Sequence, residues 1–128
     1  MSSSPVRTVS SLNLLKIRFP VGAVASISHR ISGALLLLAL PFAVEAFARS
    51  LGSEAGYDAM GDLIRNPFVA ALLLLPCWAL AQHLLAGIRH LLMDFDVGSG
   101  LATARRTAWL VLIGSVAGTA ALMWALLA

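Results

Sequence analysis

The sequence has a single cysteine, Cys77, and so cannot build an internal disulfide framework, a cysteine-ligated iron–sulfur site or a covalent CxxCH haem attachment. Charge is scarce as well: Asp, Glu, Lys and Arg make up 12% of the residues, against about 25% in an ordinary soluble domain. No GxGxxG run is present to hold a dinucleotide, and no HExxH pair to hold a catalytic zinc. Disorder is excluded too, because it needs low hydropathy and high net charge. What fills the chain instead is apolar, with 59% hydrophobic residues and a mean hydropathy of +0.89. At 128 residues it reads as an integral membrane protein with one domain over 1–128.

The apolar residues fall in three blocks. Residues 31–44 carry no charge over fourteen positions, and the apolar character continues past Glu45 to Ala48. Residues 67–88 and 107–128 each run for 22 positions without Asp, Glu, Lys or Arg. A bilayer core of about 30 Å takes roughly 20 helical residues. The second and third blocks therefore span unaided. The first reaches that length only by borrowing residues 26–32, which draws Ser26, Ser28, His29 and Arg30 into or near the membrane. A transmembrane barrel would alternate apolar and polar residues in segments of about ten, whereas these blocks are apolar on every side. Residues 1–26 lack the compact apolar core and cleavage site of a secretory leader, so the first helix is expected to be a permanent span. The expected fold is all-α, with a tail over 1–20 and membrane helices at about 21–48, 67–92 and 105–128.

Lys and Arg set the orientation. With three spans, Arg7, Lys16, Arg18, Arg30, Arg89, Arg105 and Arg106 share one side, and Arg49 and Arg65 lie on the other. The positive-inside rule then puts the N-terminus in the cytoplasm and the C-terminus in the periplasm. The sequence pI near 10.0 is a topology signal and does not imply nucleic-acid binding. Asn66-Pro67 reads as a helix cap followed by proline at the first helical position. Tyr57, Met60 and Ile64 have helical spacing in the outer connection, which suggests a short interfacial helix. Residues 97–100 (Val-Gly-Ser-Gly) form a flexible turn, and Pro41 and Pro76 inside spans predict mild kinks.

Chemistry concentrates in two stretches. In the first, Ser26, Arg30 and Gly33 share one helical stripe that offers a hydroxyl, a cation and a notch. Arginine within a span costs several kcal/mol unless it snorkels or meets an anion; the other reading makes Arg30 the boundary of the helix and Ser26 its cap. In the second, His83, Gly87, His90 and Asp94 are four, three and four residues apart and fall on one face. His83 lies six residues before Arg89, about 9 Å inside the cytoplasmic edge. A neutral imidazole at that depth can ligate haem iron, Gly87 leaves room for a flat macrocycle, and Arg30, His29 and Arg89 can meet the propionates. It can equally hydrogen-bond a neighbouring helix, and His90 with Asp94 can form an ion pair at a helix end.

Residues 28–33 (Ser-His-Arg-Ile-Ser-Gly) resemble the H-R-x-[ST]-G signature of the cytochrome b membrane-anchor subunit of succinate dehydrogenase, bacterial type. Residues 83–94 resemble the second signature of that family, H-x-x-x-G-x-R-H-[LM]-x-x-D, and Arg18-Phe19-Pro20 resembles its lead-in. The resemblance implies one of two hydrophobic anchors in a four-subunit complex of the bacterial inner membrane, beside a flavoprotein with FAD and an iron–sulfur subunit. It implies that His83 is an axial ligand of haem b, the second axial histidine coming from the partner anchor. Ser26 and Arg30 match positions lining the ubiquinone pocket, Arg30 and His29 lie near the propionates, and His90 near the haem edge. On this reading the chain carries no catalytic residue of its own and no activity alone. Residues 12–19, with Leu12, Leu14, Leu15 and Ile17 beside Lys16 and Arg18, offer a docking face for the iron–sulfur subunit. Two alternatives are a fumarate reductase-type quinol enzyme and a small membrane transport subunit. A reporter fused after Ala128 is expected to read as periplasmic, and a cytoplasmic readout would contradict the three-span topology.

Overall fold

The computed structural model describes residues 19–127, so the tail face at 12–19 lies, except for Phe19, outside the described residues. Four helices follow in order: α1 (Val21–Gly52), α2 (Glu54–Arg65), α3 (Pro67–Asp94) and α4 (Leu101–Leu127). By length and composition α1, α3 and α4 can each cross a membrane, and α2 is the short helix that Met60 and Ile64 foretell. At 32, 28 and 27 residues the three long helices rise about 48, 42 and 40 Å, more than the hydrocarbon core needs. Each therefore runs beyond its apolar block. At the end of α1, Arg49 Nε donates to Glu45 Oε1 at 2.7 Å and carries the helix on to Gly52. At the start of α4, Leu101 to Ala104 are good helix formers, so the helix begins ahead of Arg105 and Arg106.

Local chemistry fixes the joints. Asn66 Oδ1 accepts from the backbone amides of Phe68 and Val69, and Pro67 occupies the first helical position, as its sequence predicts. Ser53 caps α2 through the Gly56 amide at 3.0 Å. Any Cβ at Gly56 would meet the Arg49 carbonyl, so this tight α1–α2 corner requires glycine. The turn into α4 contains Asp96 and Gly98 with φ of 58° and 78°, a conformation that glycine adopts freely and Asp tolerates. The helices α1 and α3 continue through Pro41 and Pro76.

Packing is the reverse of a soluble core. Helix α3 is central, seated on α4 and α1, while α2 leans mainly on α1. The wholly buried apolar side chains are alanines (Ala25, Ala79, Ala86, Ala108), and the largest fully buried side chains are Gln82, Ser32 and Ser115. Phe42, Phe68 and Trp124 point outward with 77–85% of their surface exposed. Lipid tails are as apolar as leucine, so burying large side chains gives little drive for helix association, and small residues that permit close approach line the seams instead. Gly114 and Gly118 of α4 face Leu85 and Ala81 of α3, where an added Cβ would come within 3.1 and 3.2 Å. Gly118→Leu is expected to destabilise the α3–α4 seam by about 1–3 kcal/mol, measured as a lower melting temperature in detergent; an unchanged melting temperature would mean the seam is looser than described.

Candidate functional site

All three histidines of the chain meet where α1 crosses α3. His83 and His90 lie seven residues apart on α3, two turns of one face, and His29 of α1 inserts between them. The His29 ring stacks on His83 with centroids 4.3 Å apart and planes at 26°, and lies 4.9 Å from His90 at 32°. Glycine makes this fit possible from both sides. A Cβ on Gly33 would fall 2.9 Å from His83 Cε1, and one on Gly87 would touch His29 Nε2 at 3.5 Å. The notch at Gly33 thus receives the imidazole of His83. At Gly87 the nearest side chain is the His29 ring of α1.

Hydrogen bonds determine the state of His83. Ser32 Oγ donates to the His29 carbonyl at 2.8 Å, so its proton is already used. His83 Nδ1 lies 3.2 Å from the same carbonyl and 3.4 Å from Ser32 Oγ. Both oxygens act as acceptors, so Nδ1 carries a proton, and in the neutral ring Nε2 is the nitrogen with the lone pair. Nε2 has no partner among the described residues and is not sealed from the surface. An imidazole with Nδ1–H held by a carbonyl and a free Nε2 is the form that ligates a metal. Among the described residues no three His, Cys, Asp or Glu side chains converge as a metal cage.

The remaining expected residues divide. Ser26 is half-buried and Arg30 exposed, side by side at the edge of the α1 face that turns toward α3. His90 Nδ1 is buried with no partner among the described residues. Asp94 is exposed and makes no ion pair; among the described residues the single ion pair is Arg49 with Glu45. Arg89, expected near the propionates, points the other way. It is 9% exposed, and its Nε donates to Thr107 Oγ1 and its Nη2 to the Ala104 carbonyl, both on α4 at 3.1 Å. One helical position, about 100°, separates it from His90, which turns it toward α4. Ser32 and Gln82 were not assigned a role by sequence. Ser32 lies three residues after His29, and this i, i+3 spacing was the available signal for its bond to that carbonyl.

Three helices long and apolar enough to cross a membrane, with three histidines gathered where two of them cross, define a multi-pass helical membrane protein. Residues 5–122 match the family described as succinate dehydrogenase/fumarate reductase transmembrane subunit. The succinate dehydrogenase cytochrome b556 subunit of Coxiella burnetii is 35% identical over 106 residues, 82% of this chain and 85% of that protein. The subunit of the same name from Paracoccus denitrificans is 29% identical over 106 residues, covering 83% of this chain and 82% of that protein. The chain belongs to this family and is a membrane anchor of the succinate dehydrogenase type, which removes the transport-subunit alternative. Gly33→Val is expected to push His83 off the His29 carbonyl. The measured outcome is a loss of about 1–3 kcal/mol in stability with faster modification of His83 by a histidine-selective reagent; unchanged His83 reactivity would show that the notch is not what holds the ring.

Proposed function

We propose that this chain is the haem b-binding anchor of a bacterial succinate–ubiquinone oxidoreductase, with its N-terminus cytoplasmic and its C-terminus periplasmic. The observation that carries the reading is the Nδ1–H of His83 held on the His29 carbonyl, which leaves Nε2 as the nitrogen that would hold haem iron. A second hydrophobic subunit supplies the opposite histidine, and flavoprotein and iron–sulfur subunits, holding FAD and the clusters, deliver the electrons. A haem bound at His83 supplies reversible one-electron storage on the way to quinone. His90, with its unpartnered Nδ1, and His29 lie toward the haem edge and propionates, and Arg30 supplies a positive charge to both the propionates and the quinone.

Ser26 and Arg30 form this chain's part of the ubiquinone pocket. Reducing a quinone takes two electrons and two protons, so its carbonyl oxygens must be stabilised as charge develops while water stays within reach. The Ser26 hydroxyl donates to one carbonyl oxygen. The Arg30 guanidinium, permanently charged, steadies the negative charge as it grows. Both stand on the first turns of α1, near the cytoplasmic edge, and Arg30 faces outward toward the partner that would close the pocket.

The test uses the purified four-subunit complex. His83→Leu is expected to abolish the low-spin bis-imidazole spectrum. Ser26→Ala and Arg30→Leu are expected to lower succinate–quinone reductase activity by roughly 10²-fold while succinate oxidation by an artificial dye persists. An unaltered low-spin spectrum in His83→Leu would remove His83 as the ligand, and full quinone activity in both other variants would move the pocket elsewhere.

A further inference from the structure

Polar contacts between spans carry much of what fixes their relative rotation, because burying apolar side chains in lipid gives little drive to associate. Among the described residues, side chains hydrogen-bond from one long helix to another at only two places. His83 reaches α1 through the His29 carbonyl and Ser32. Arg89 reaches α4 through Thr107 Oγ1 and the Ala104 carbonyl. Both start from α3, six residues apart, which is about 9 Å along its axis and about 120° around it. The central helix is thus fastened once to each neighbour.

We propose that Arg89 is a positioning residue: by fastening α3 to α4 it sets the rotation at which His83 and His90 close on His29. The geometry around the guanidinium supports this. Thr107 Oγ1 donates to the Ala104 carbonyl at 3.2 Å, so the two oxygens that Arg89 bonds are already linked to each other, one turn apart on α4. A planar fork can bond both at once, and an ammonium group cannot reproduce that geometry. No carboxylate pairs with Arg89 among the described residues, so the side chain is held by these neutral oxygens. It also lies beneath the start of α1, where a Cβ on Gly22 would stand 4.0 Å from Nη2. Elsewhere the α3–α4 seam offers Ala81, Gly114 and Gly118, which set a distance between the helices but select no particular rotation.

The spectroscopic half of the test rests on the reading of His83 as haem ligand. In the assembled complex, Arg89→Lys and Thr107→Val are each expected to shift the low-spin haem resonance in electron paramagnetic resonance while haem content is kept. Thermal stabilities of the two variants and of the double variant are expected to be non-additive, since both substitutions remove the same hydrogen bond. A wild-type resonance in Arg89→Lys would mean that Arg89 acts by charge alone and would overturn the proposal, as would unchanged resonances in both variants. Additive stabilities would overturn the fastening itself. If His83→Leu kept the haem signal, the ligand reading would fail, and the stability cycle, which needs no haem, would still decide whether Arg89 fastens α3 to α4.

Discussion

When the Ser32 hydroxyl donates to the His29 carbonyl and His83 Nδ1 points at both oxygens, the imidazole on α3 is left one tautomer and one orientation. The carbonyl belongs to the residue whose own ring stacks against His83, so a single residue of α1 orients its neighbour twice, by backbone and by face. The rest of the site depends on that junction. Gly33 must lack a side chain to admit His83, whereas a Cβ at Gly87 would only come into ordinary contact with His29 Nε2, at 3.5 Å. Loss of Gly33 would press α1 away from α3 at the level where the donor nitrogen is held.

The seam around the junction follows from the solvent. In water, large side chains would be drawn inward; here they face outward, and alanine, glycine and serine line the contacts between helices. Such a core is thin and gives polar groups an unusual share of the specification. Gln82, fully buried with both amide atoms unpartnered, belongs to the same inner layer as Ser32 and Ser115.

The second and third spans were legible because 22-residue runs without charge have no other stable use, and the first because its fourteen uncharged residues reach spanning length once residues 26–32 are added. The Asn66 cap was legible because its side chain acts within three residues of itself. Helix ends were less so. The Glu45–Arg49 pair extends α1 past its apolar block, and hydropathy counts such a pair against a helix although it supports one. In the site, the spacing of His83, Gly87 and His90 is enough to put them on one face of α3, and the ring of His29 against that face is what it leaves out. Spacing along α3 says what can be accommodated there; it cannot say that His29 of α1 arrives first. Arg89 shows the same limit: its charge and depth were visible, while its direction depends on the rotation of α3 against α4.

Sequence separation gives the junction a timetable. His29 and His83 are 54 positions apart, so at about 5–20 residues per second of synthesis the ring of His29 exists for roughly 3 to 11 s before its partner is made. During that interval α1 has no imidazole to receive and no α3 to lean on; even in the finished chain only 6% of its most apolar window is buried. The first helix must therefore persist in the bilayer on its own hydropathy, with Arg30 near its edge, as a newly made span awaiting the second. Its unusual length and outward-facing leucines suit a segment that has to be stable before it has neighbours.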